Sequence, residues 1–133
     1  MAHRIPTFAT APLVLLLGAC AATTADEPEA PLTFDTSRQC FFASQINGYS
    51  DAPDGPGGEE RLTVSTGVND DWLFEAFGNT CRELDFAENV AFDTRQLSLC
   101  TGTTETLLVP RGGSGPPDRC SVRLLGKVTN PQR

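Results

Sequence analysis

The chain has 133 residues, 39% of them apolar and 20% charged, which is enough globular sequence for a single small domain. Seventeen acidic side chains against ten basic ones give a net charge of −7, the wrong sign for a general nucleic-acid binder, so no nucleic-acid partner is expected. The one histidine, His3, lies in a leader read below as removed, which takes imidazole chemistry out of the mature protein.

Residues 1–10 carry His3 and Arg4 but no acid, and Ala11–Leu17 (A-P-L-V-L-L-L) form an apolar run far shorter than the ~20 residues of a membrane helix. These are the n-region and h-region of a secretory signal peptide. Leu17-Gly18-Ala19-Cys20 then resembles the lipobox of bacterial lipoproteins. The resemblance implies that the Cys20 thiol receives diacylglycerol and that cleavage leaves Cys20 as the lipidated first residue. The competing reading, an alanine-rich signal peptide with Cys20 near its cut, is disfavoured by the position, the small residues and the preceding leucine. Residues 1–19 are therefore read as a lipoprotein signal peptide, and membrane lipid is the partner expected through acylated Cys20. Buried acyl chains contribute about 0.8 kcal/mol per CH₂, so two or more anchor stably without any membrane-spanning helix. Ala21, not aspartate, follows the cysteine. By resemblance to enterobacterial lipoproteins this implies the outer membrane, facing the periplasm.

Residues 20–37 (C-A-A-T-T-A-D-E-P-E-A-P-L-T-F-D-T-S) are polar, acidic and broken by Pro28 and Pro31, and read as the lipidated cysteine followed by a flexible tether. Residues 38–133 read as the globular domain. Cys40-Phe41-Phe42 leads to Ile46 and Tyr49; Leu62 and Val64 alternate with polar neighbours; Gly67–Asp71 is a turn into Trp72–Phe77, which predicts a β-hairpin. Only Arg82–Ala91 has the spacing for a helical turn, through Leu84, Ala87 and Glu88. Val90 with Phe92, Leu97 with Leu99, Leu107–Val109 and Val122–Leu125 are further short apolar runs. Asp51–Glu60 and Pro110–Arg119, rich in glycine and proline, are loops. The expectation is a mainly β fold, a small single-domain barrel or sandwich of five to six short strands with room for one short helix.

Cys40, Cys81, Cys100 and Cys120 remain once Cys20 is lipidated, an even set in an oxidising compartment, and so are read as two disulfides. Four cysteines allow three pairings. The nested one, Cys40–Cys120 with Cys81–Cys100, ties the first core strand to the last and is the expectation taken forward. No C-x-x-C and no neighbouring histidine supports a metal or redox site, so no metal is expected.

Without histidine, Ser-His-Asp and Cys-His nucleophile systems have no base, and Lys127, the only lysine, lies in no S-x-x-K motif. Carboxylate chemistry remains conceivable at Asp85, Glu88 and Asp93, against the plainer reading of solvated acids on an acidic protein. Asp51, Asp54, Glu59 and Glu60 fail the calcium-loop register, because aligning Gly55 leaves Ala52 and Arg61 at ligand positions. No catalytic residue, enzyme activity or cofactor is therefore assigned. Basic residues concentrate late, at Arg111, Arg119, Arg123, Lys127 and Arg133 against Asp118. They read either as a face for anionic partners or as internal compensation for the acidic remainder.

Arg38-Gln39-Cys40-Phe41-Phe42, Ile46-Asn47-Gly48-Tyr49, Trp72-Leu73-Phe74, Cys81-x-x-Leu84, Val90-x-Phe92, Leu99-Cys100-x-Gly102 and Cys120-x-Val122 together form a pattern. It resembles an uncharacterised family, a domain of unknown function, of small exported bacterial proteins, many of them lipoproteins with four structural cysteines. Trp72 stands where that family more often has tyrosine, and Thr103 where it often has aspartate. The resemblance implies fold and export but no activity. The expected role is a structural or interaction module of the cell envelope, acting on an envelope protein or cell-wall polymer. The alternative is an inhibitor or ligand-binding module directed at a periplasmic or wall-degrading enzyme.

Overall fold

The computed structural model describes residues 31–78, 81, 84, 89–111 and 114–130. The signal peptide, Cys20, residues 20–30 of the tether, and most of the Arg82–Ala91 stretch lie outside the described residues. Within them the protein is mainly β. Nine strands follow in order: β1 (Phe34–Asp35), β2 (Cys40–Phe42), β3 (Gly48–Ala52), β4 (Arg61–Ser65), β5 (Asp71–Phe77), β6 (Ala91–Phe92), β7 (Ser98–Cys100), β8 (Thr104–Val109) and β9 (Asp118–Val128). A single 3-10 turn, Ala43–Gln45, separates β2 from β3.

The main sheet is antiparallel, with strands ordered β3-β4-β5-β9-β8-β6, and it curls into a half-barrel. β9 organises it, because its alternation places Cys120, Val122 and Leu124 on the concave face, each fully buried. The hairpin expected around Gly67–Asp71 is present: Thr66 and Asp70 close the turn through Thr66 N–H to Asp70 O at 2.8 Å, and Leu62 pairs with Phe74. The run Val122–Leu125 proves to be part of an eleven-residue strand that starts at Asp118, inside the segment expected to be loop. Likewise β3 runs to Ala52, two residues into the other expected loop.

A β-bulge gives β9 two functions. Leu73 faces Gly126 while Phe74 faces Leu124, so Leu125 is one residue too many for its partner strand. The extra residue turns the end of β9 over, and Leu125 and Val128 join Leu73 and Ala52 in a second apolar cluster on the other face. Leu32 and Phe34 pack onto this cluster, and β1 pairs with Val128 and Lys127. Residues 31–37, assigned from sequence to the tether, are thus docked on the domain. The cause is Gly126: a Cβ there would lie 2.0 Å from the Asp35 carbonyl oxygen, so only glycine lets β1 approach.

The concave face is covered by a two-stranded ribbon, β2 with β7, which inserts Phe41 and Leu99. Phe41 sits between Trp72 (4.8 Å between ring centroids) and Phe74 (6.5 Å, edge to face), and Phe74 in turn contacts Phe92 at 5.1 Å. This aromatic row joins ribbon, sheet and β6. Leu97, expected on a buried alternation with Leu99, is instead 84% exposed, because β7 begins only at Ser98.

The ribbon also corrects the disulfide pairing. Cys40 is the register partner of Cys100, and these two are bonded, with Cα atoms 4.0 Å apart. Cys81 is bonded to Cys120, Cα atoms 5.1 Å apart. The expected Cys40–Cys120 and Cys81–Cys100 links do not form, because β2 pairs with β7 and not with a strand of the sheet that carries Cys120.

Candidate functional site

Among the described residues the curled sheet ends at β3 on one side and β6 on the other. A cavity of about 330 Å³ lies between them. Tyr49 comes from β3 and Val64 from β4 on one side; Val90, Ala91, Phe92 and Thr94 come from β6 and its flanks on the other; Ala43 and Ile46 of the 3-10 turn segment complete the wall. The wall is rigid where it meets the core, since Val64 is fully buried and the Phe92 ring rests on Phe74. The backbone of Asp93 donates to Thr106 O at 2.8 Å, which holds the end of β6 against β8.

The lining is aliphatic and aromatic, with the hydroxyls of Tyr49 and Thr94 as its polar side-chain groups. A space of this size, apolar with a few polar groups, has the character of a small-molecule site. The sequence marked Ile46, Tyr49, Val90 and Phe92 as apolar positions of strands. Nothing in their spacing distinguished a cavity wall from a packed core, because the distinction depends on the barrel not closing.

Next to this wall, Ala43 N–H donates to Leu97 O at 3.0 Å, one backbone bond beyond the β2–β7 pairing. Phe42 and Leu97 are each large apolar side chains left in solvent, Phe42 at 58% exposure. Arg95 follows Thr94 directly and is exposed.

A second, wider depression of about 520 Å³ lies at the opposite end of β5, against Gly57–Glu60, Ala76–Gly78 and Cys81. Here the acidic loop considered for calcium folds on itself. Glu59 accepts from Gly57 N–H at 2.9 Å, and the Gly55 amide donates to Glu59 O at 2.8 Å. Among the described residues no three His, Cys, Asp or Glu side chains converge as metal ligands. Asp85 and Glu88 lie outside the described residues, and Asp93, the third acid considered for catalysis, is ion-paired with Arg119 at the surface.

The late basic residues are largely compensated within the fold. Arg111 pairs with Asp118, Arg119 with Asp93, and Lys127 with Asp70 at 2.6 Å while lying 5.9 Å over the Trp72 ring. Arg123 lies over the Phe77 ring at 5.5 Å. The hydrogen bond from Arg111 holds the Asp118 carboxyl below the usual carboxylate range. Arg133 lies outside the described residues.

One buried acid was not anticipated. Glu105 projects from β8 to the concave face opposite Val122, is 6% exposed, and its Oε1 has no hydrogen-bond partner among the described residues. Its position in T-T-E-T-L-L-V gave no signal, since an acid beside three threonines reads as solvent-facing strand.

A family model described as "Family of unknown function (DUF6491)" matches residues 1–133. No curated protein and no solved structure matches the chain.

Proposed function

The chain belongs to DUF6491, a family of unknown function, and from that premise we propose that it is a lipid-anchored module of the bacterial cell envelope that works by binding, not by catalysis. The observation that carries this reading is the state of the cysteines. All four downstream of Cys20 are cross-linked, as suits an oxidising compartment, and the fifth sits in the L-G-A-C sequence that resembles a lipobox. The docking of β1 adds a distance. Only the residues between Cys20 and Leu32 are left to span from membrane to domain, at most about 40 Å when fully extended. The domain therefore works close to the lipid surface of the outer membrane, on its periplasmic side.

The cavity between β3 and β6 favours ligand binding over a purely structural role. Among the described residues its walls offer hydroxyls and hydrocarbon. The anchor is tested by intact-mass measurement of the chain extracted from membranes. A terminus at Cys20 bearing diacylglyceryl and an N-acyl group is expected, with Cys20→Ala released from the mature, lipidated pool. A chain retaining Met1, or cut without acylation, refutes the anchor.

A further inference from the structure

We propose that the Cys40–Cys100 disulfide is a site of reversible thiol–disulfide exchange with a dithiol, and that its reduction unlatches β2 from the concave face while the main sheet stays folded. The two disulfides lie in opposite surroundings. Cys81 and Cys120 are both buried, whereas Cys40 is exposed and Cys100 half-buried. Alternation along the ribbon is the cause. β2 turns Cys40 outward and Phe41 inward, and β7 turns Cys100 outward and Leu99 inward. The bond therefore lies on the outer face of the element whose inner face covers the core. Exposed disulfides are the ones an external thiolate reaches, and they form the labile class.

What the bond holds follows from the topology. β7 is tied to the main sheet without it, because the turn into β8 is hydrogen-bonded to β9: Gly102 N–H donates to Leu124 O at 2.8 Å and Leu124 N–H to Thr103 O at 3.0 Å. Among the described residues β2 pairs with β7 alone, over three residues. A two-stranded ribbon of that length is marginal without further support. Here the support is the burial of Phe41 against Trp72 and Phe74, and the covalent link. Once that link is cut, β2 opens as a local unit and breaks no strand pairing of the main sheet. Ala43 and Ile46 of the cavity wall follow β2 directly, so its opening unseats that wall.

The exchange is two substitutions at sulfur. One thiolate of the dithiol attacks the sulfur of the exposed Cys40, the bond to Cys100 breaks, and the Cys100 thiolate takes up a proton. The second thiolate of the dithiol then attacks the reductant sulfur bonded to Cys40. That releases the Cys40 thiolate, which is protonated, and leaves the reductant as its own disulfide. Two electrons and two protons pass to the protein, and the oxidised form of the dithiol reverses both steps. Neither the lipid anchor nor a ligand in the cavity is needed, so the latch goes beyond the binding-module reading.

The test treats the full oxidised chain with dithiothreitol in rising steps, traps free thiols by alkylation, assigns them by peptide mapping, and follows amide hydrogen exchange in the trapped form. Cys40 and Cys100 should be labelled at dithiothreitol concentrations severalfold below those that label Cys81 and Cys120. The Ala43 and Thr101 amides, which bond Leu97 O and Gln39 O across the ribbon, report the latch; those of Leu124 and Ala76, bonded to Thr103 O and Glu60 O, report the sheet. On reduction, protection at Ala43 and Thr101 should fall about tenfold further than at Leu124 and Ala76. Cys40→Ala with Cys100→Ala, which carries no adduct, should show the same split. Labelling of Cys81 and Cys120 together with Cys40 and Cys100, or before them, overturns the exchange site. An equal fall at all four amides, or no fall at Ala43 and Thr101, in both the trapped form and the double variant overturns the latch.

Discussion

The cross-links separate this fold most sharply from the nested alternative, and paired substitutions read them directly. Cys40→Ala with Cys100→Ala removes one disulfide whose partners are 60 residues apart and leaves the Cys81–Cys120 link, across 39 residues, intact. In the chain-entropy treatment either link contributes about 4 kcal/mol by restricting the unfolded chain. With a urea dependence of about 1–3 kcal/mol per molar for a small domain, losing one should lower the unfolding midpoint by roughly 1.5–4 M. Cys40→Ala with Cys120→Ala removes the same number of sulfurs but one partner from each link. It should lose both constraints, about twice the free energy, and expose two reactive thiols under denaturation where the first variant exposes none. Thiol titration and urea unfolding of the oxidised proteins decide between them. Two thiols in the Cys40/Cys100 variant and none in the Cys40/Cys120 variant would refute the ribbon geometry from which the pairing follows.

Gly126→Val should drive β1 off the sheet, because the added carbons meet the Asp35 backbone and not a movable side chain. A loss of about 1–3 kcal/mol is expected, with faster hydrogen exchange at Thr129, whose amide is bonded to Thr33 O. Unchanged protection at Thr129 would count against the close approach. Glu105→Leu should stabilise the domain by about 1–3 kcal/mol, since it removes a buried oxygen that has no hydrogen-bond partner among the described residues; a lower urea midpoint would contradict this. Asp35 accepts hydrogen bonds from the Ser37 amide, the Ser37 hydroxyl and the Gln39 side chain, which together hold its carboxyl below the ordinary value of 3.8. A depressed carboxylate stabilises fully above its unfolded value and loses that contribution as pH falls through the lower folded one. Asp35→Ala should therefore melt below wild type at neutral pH and converge with it in strong acid, and a gap constant with pH would exclude the effect.

Where residues act on their neighbours, the sequence was readable. Leu62 and Val64, the turn Gly67–Asp71 and the run Trp72–Phe77 specify a hairpin locally, because alternation and turn chemistry are properties of adjacent residues. The even set of cysteines and the L-G-A-C segment are likewise local, and they determine that cross-links and an anchor are to be looked for. Which cysteines meet was decided only by strand pairing. β2 leaves the main sheet to pair with β7, and no spacing along the chain encodes that choice. The same is true of the second apolar cluster, which exists because one extra residue at Leu125 turns the end of β9 over, and of the cavity, which exists because β3 and β6 stop short of pairing. Tyr49 and Phe92 are apolar strand residues in either a closed or an open barrel; whether they meet a neighbour or a void is settled by where distant strands end.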